Sequence, residues 1–128
     1  MSITLLERLR DHIDAANLLD GYQVKFYRWS DQDLNGTGQL ILFRMAGTGG
    51  PSAHVIQSND VSIQMLCDPD QVRAGDNRML AILRYLRNDF ETNGVFNIWP
   101  VSGYSGPNYL ENNRATFQLV VRCMTVDH

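Results

Sequence analysis

No apolar run in this sequence approaches the roughly 18 residues that a membrane-crossing helix requires, so no such helix is expected. The first residues, Met1-Ser2-Ile3-Thr4-Leu5-Leu6-Glu7-Arg8, lack the basic start and unbroken apolar core of a signal peptide, which predicts a cytoplasmic protein. An excess of positive charge is missing too. The 11 basic and 14 acidic side chains leave a formal −3, without the basic footprint a dedicated nucleic-acid binder uses against phosphates. Cysteine is scarce, and Cys67 and Cys123 both fall on strand patterns among apolar neighbours. They read as reduced core residues, not as a disulfide. His12, His54 and His128 are scattered and the cysteines lack ligand spacing, which argues against a metal centre. Repeats and low-complexity tracts are absent. A chain of 128 residues predicts one domain spanning 1–128, able to bury about two-thirds of its unfolded surface without metals or disulfides.

What is present is clearest from Asp60 to Phe90. Val61, Ile63, Met65 and Cys67 alternate with Ser62 and Gln64, the period of a half-buried strand. Asp68-Pro69-Asp70-Gln71 then reads as a helix start, with Asp68 as cap, Pro69 in the first helical position and Gln71 reaching back. Val72, Met79, Leu83, Leu86 and Phe90 share one face of the helix, which Asn93-Gly94 stops. An earlier helix is predicted from Thr4 to Leu19, with Thr4 and Glu7 in capping-box spacing and Gly21 just past its end. Its apolar stripe is Leu5, Leu9, His12, Ile13, Ala16 and Leu19, where His12 reads as a hydrogen-bonded core histidine.

Further strands are predicted over Gln23–Trp29, Gln39–Met45, Val95–Val101 and Arg114–Val126, with Asn35-Gly36 as a turn. Two long glycine-bearing connections remain, Ala46–Asn59 and Ser102–Asn113. The order α-β-β-β-α-β-β, with strands in runs, predicts an α+β domain: a mainly antiparallel sheet with helices packed on one face. Pro100 places the fourth strand at an edge or ends its pairing there.

Constellations with chemical potential each lack a needed part. Gly47-Thr48-Gly49-Gly50 follows a strand as a phosphate cradle would, but Pro51-Ser52-Ala53-His54 supplies neither the lysine nor the helix start. Ser52, His54 and Asp60 are the residue types of a hydrolytic triad, without a strained turn to present the serine. Asp31/Asp33 suits a surface turn and Asp68/Asp70 a helix cap, more than a divalent-cation site. Lys25, Tyr27, Arg28 and Trp29 interleave base and aromatic as single-strand nucleic-acid platforms do, but on one strand of an acidic chain. Arg73, Arg84 and Arg87 fall in one narrow sector beside the helix's apolar face, either as a solvated flank or as an ionic contact with another subunit.

The element order, the Val61-Ser62-Ile63-Gln64-Met65 strand before the second long helix, and a final strand that starts Arg114-Ala115-Thr116-Phe117 together resemble the tail-terminator (tail-completion) proteins of long-tailed bacteriophages. The resemblance covers nearly the whole chain and rests on order, length and alternation. It implies a small protomer that forms a ring, usually a hexamer, capping the finished tail tube and offering a surface for head attachment. The implied partners are further copies, the tail tube protein and a head-completion (connector) protein. The implied location is the virion tail, with host cytoplasm during assembly. The family brings no cofactor and no catalytic residue. Under it, the candidate subunit or tail-tube contacts are Gly47, Gly49, Gly50 and His54 in the first long connection, Tyr104 and Tyr109 in the second, and Arg73, Arg84 and Arg87 on the helix. An alternative stays open: a small ligand-binding or enzymatic α+β domain, which would need a concave site with convergent titratable groups.

Overall fold

Alternation on the central strands fixes the sheet. The computed structural model describes residues 5–48, 56–88 and 97–126. The elements in chain order are α1 (Leu5–Asp14), β1 (Gln23–Phe26), α2 (Asp31–Asn35), β2 (Leu40–Thr48), β3 (Ile56–Cys67), α3 (Val72–Asn88), β4 (Asn97–Pro100), β5 (Ser105–Tyr109) and β6 (Ala115–Val126). The sheet runs β1-β2-β3-β6-β4, with β5 also on β6, and every pairing except the parallel β1–β2 is antiparallel. Because side chains alternate, the register stacks Ile41, Met65 and Phe117 in one row and Phe43, Ile63 and Leu119 in another, all fully buried on one face.

Two long helices cover that face. α1 contributes Leu6, Leu9, His12 and Ile13, and α3 contributes Met79, Ile82, Leu83 and Leu86. The Arg78 guanidinium ties them together by donating to the carbonyls of Leu18 and Asp20, each at 2.8 Å, while lying 4.9 Å over the Tyr22 ring. His12 is buried, its ring 5.1 Å from Tyr85, as expected of a core histidine. The architecture is thus the expected α+β sheet with packed helices, and Pro100 does lie in a strand at the sheet's edge.

Several boundaries differ from the sequence reading, each for a physical reason. The first helix ends at Asp14 and not Leu19, because Asn17 takes a left-handed φ of 61° before Gly21 takes its own at 83°. β1 stops at Phe26, since Tyr27 turns to φ 76°, and the stretch to β2 holds a short helix in place of a surface turn. That helix, α2, is closed by a reciprocal cap: Ser30 Oγ accepts from the Asp33 N–H at 3.1 Å and the Ser30 N–H donates to Asp33 Oδ2 at 2.9 Å. α3 begins at Val72 and not Pro69, and Asp68 is not its cap, because the Asp68 carboxylate is engaged elsewhere. Much of both long connections is strand: β2 and β3 run on through Thr48 and from Ile56, and Ser105–Tyr109 forms β5. Thr4, Phe90, Asn93, Gly94 and Val95 lie outside the described residues.

Candidate functional site

Arg73, Arg84 and Arg87 occupy one flank of α3, turned away from its buried Gly75, Met79, Ile82, Leu83 and Leu86. All three are exposed, and none forms a salt bridge among the described residues. This flank adjoins the β4–β5 edge of the sheet. Arg87 and Leu86 line an open cleft of about 450 Å³ together with Asn97, Ile98, Trp99 and Pro100. Tyr104, just before β5, donates its hydroxyl to Asp76 Oδ1 at 2.6 Å and packs edge-on against Phe117. The hydrogen bond to Asp76, then burial, pushes the Tyr104 phenol up, so it stays neutral. β5 is exposed at all five residues, and Tyr109 at its end is 63 % exposed. Trp99 and Val101 add apolar surface on the same edge.

The structure therefore gathers Arg73, Arg84, Arg87, Tyr104 and Tyr109 along one side of the molecule. Gly47 is not among them. It lies in β2 opposite Asp60, which in turn faces Arg122 and, beyond it, Trp99. Gly49, Gly50 and His54, and with them the phosphate-cradle and triad patterns, fall outside the described residues. The base-and-aromatic run on β1 is not a flat platform. Lys25 faces Asp33 at 3.5 Å, Tyr27 leaves the strand, and Trp29 Nε1 donates to Gln64 Oε1 at 3.2 Å.

Sequence reasoning missed the role of Arg114 and Asp68. Arg114, 2 % exposed, pairs with Asp68 at 2.7 Å and donates to the carbonyls of Gly36 at 2.7 Å and Gly38 at 3.0 Å. Asp68 also accepts from the Gly38 N–H, and its own N–H donates to Gln39 Oε1 at 2.7 Å. A second cross-strand pair joins Asp60 and Arg122 through two contacts of 2.9 and 3.2 Å. The hydrogen bonds to Asp60 raise the Arg122 pKa further, so the guanidinium is permanently charged. These carboxylates answer arginines and do not converge on an open position. Among the described residues no group of three His, Cys, Asp or Glu side chains could hold a metal ion. No described helix is long and apolar enough to cross a membrane.

A family model described as phage tail termination protein matches residues 2–127. No curated protein matches the sequence. Among solved structures, a chain of the "Virion of native gene transfer agent (GTA) particle" is similar at a TM-score of 0.60 and 12 % identity, covering 95 % of this chain and 94 % of that one. At that identity the likeness speaks to the fold.

Proposed function

The chain belongs to the phage tail termination protein family, a family of structural tail proteins, and from that premise we propose that it forms a ring that caps the tail tube. The match over residues 2–127 is the observation that carries this reading, since it spans the whole sheet and both long helices. In it the ring is a hexamer, ends tail growth and provides the surface to which the head attaches. Its partners are further copies of the chain, the tail tube protein and a head-completion protein, and its place is the virion tail after assembly in the host cytoplasm. The protein has no enzymatic role in this reading. The subunit or tube contacts are drawn from Gly47, Gly49, Gly50, His54, Arg73, Arg84, Arg87, Tyr104 and Tyr109.

A terminator has a specific physical task. One of its faces must complement the tube end, and the opposite face must refuse further tube subunits. Subunits around a ring meet through two different patches, the heterologous arrangement that closes when the rotation per subunit is right. Self-association can be weak in free solution, because the tube end supplies a high local concentration. The test combines sedimentation over a wide concentration range with electron microscopy of tails assembled with and without the chain. Expected are a closed oligomer, free or on the tube, and tails of irregular length that fail to join heads when the chain is missing. A protein monomeric throughout, with normal and head-competent tails in its absence, rejects the reading.

A further inference from the structure

The two outer edges of the sheet carry opposite charge. On α3, Arg73, Arg84 and Arg87 stand against Asp76, a formal +2, and this exposed stripe lies beside the β4–β5 edge, whereas Arg78 reaches the other way, to the Leu18 and Asp20 carbonyls. At the other edge stand α1 and the turn into β1, with Glu7, Asp11, Asp14 and Asp20 against Arg8, Arg10 and the Arg78 guanidinium seated in that turn, a formal −1. Arg10 lies 5.4 Å over the Phe26 ring, which sets this side of α1 above β1. Asp11 and Asp14 are exposed, and Asp14 forms no salt bridge among the described residues.

These charges oppose their own helices. Asp11 and Asp14 occupy the last turn of α1, where the helix dipole disfavours carboxylates, and Arg73 occupies the first turn of α3, where it disfavours cations. Asp11 is paired within its own helix, with Arg10 at 2.9 Å, whereas Asp14 and Arg73 form no salt bridge among the described residues. Each edge also exposes aromatic surface: Tyr27, 65 % exposed, after β1, and Trp99 and Tyr109 on β4–β5. The strand directions agree as well. β1 is parallel to β2, and three antiparallel pairings lead from β2 to β4, so β4 runs opposite to β1. Copies set side by side in one orientation thus bring antiparallel edges together. Prolines at 100 and 107 break the donor row on one of those edges, which leaves the contact to side chains instead of strand addition.

We propose that these edges are the two halves of one head-to-tail contact, the α3/β4–β5 side of one copy seated on the α1/β1 side of the next. The partner is a second copy of this chain. The contact rests on the ring reading and supplies the two unlike, mutually complementary patches that a closed ring needs.

Charge reversal tests it. R73E/R84E reverses the basic side and D11K/D14K the acidic side, and because all four positions are exposed, thermal melts should change little. Association is read by sedimentation and native mass spectrometry, for the protein alone and with tails assembled in its absence. Each variant alone should need at least about tenfold more protein to associate than the parent. An equimolar mixture should recover, because alternating copies pair every reversed side with its reversed complement. If both variants associate as the parent does, the ring stands and this contact is wrong. If the variants fail and the mixture stays dispersed, the pairing of these two edges is wrong. If the parent itself never associates, alone or on tails, the ring reading falls and this contact with it.

Discussion

Arg114 is the largest fully buried side chain among the described residues, and a charge in that position is tolerated only with dense compensation. Its three partners come from two places: Asp68 after β3, and the carbonyls of Gly36 and Gly38 before β2. The guanidinium therefore clasps the end of α2 and the β3–α3 turn to the start of β6. Its Nε has no partner, so the clasp leaves one donor unsatisfied. Arg114→Ala should destabilise by about 3–5 kcal/mol in urea unfolding, because the Asp68 carboxylate loses its countercharge. A loss below about 1 kcal/mol would show that solvent replaces the arginine without difficulty. None of this was legible locally. Asp-Pro-Asp-Gln satisfies the pattern of a helix start, and the residue that captures Asp68 lies 46 positions further on.

At the scale of elements, periodicity served where a segment buries one face. β3 and α3 show their periods openly and fold accordingly. β5 could not be read, since Ser-Gly-Pro-Asn-Tyr has no strand composition and is held in the sheet by pairing to β6. α2 left a usable trace in the Ser30/Asp33 capping spacing, but five residues give no period. The candidate surface was half legible: the arginine stripe is a helical spacing, whereas its nearness to β4 and β5 depends on pairing. Gly75 marks a close crossing of α3 over β3. A Cβ there would run into Cys67 Sγ and stand 3.2 Å from Met65 Sδ and 3.3 Å from Phe117. In an open helix Gly→Ala gains about 1 kcal/mol. Here Gly75→Ala should instead lose about 1–3 kcal/mol in urea unfolding, and a gain would place the helix farther from the sheet.

For the molecule as a whole, the register keeps the two thiols apart. Cys67 pairs with Ala115 and Cys123 with Asn59, eight positions away along β3, or roughly 26 Å at strand rise, far beyond disulfide reach. Burial pushes Cys67 up to about 11 and Cys123 up to about 12. The unfolded thiols ionise near 9.0, so stability is full below that pH and falls as pH rises toward 12. Urea midpoints from pH 8 to 11 should decline accordingly, and a flat profile would mean that the thiols are hydrated. Alkylation at pH 8 should modify neither cysteine in the native protein and both after unfolding without reductant. The position of β6 between β3 on one side and β4 and β5 on the other has a consequence in time. During synthesis β1, β2 and β3 emerge first, and one long side of β3, with Val61, Ile63 and Met65, has no mate until Arg114–Val126 has left the ribosome. The β3–β6 pairing joins residues up to 70 positions apart, Ile56 with Val126, so closure is slow relative to local structure. Throughout that interval the nascent chain presents an apolar strand edge, the template on which neighbouring chains aggregate, and the yield of folded chain is decided before any tail is met.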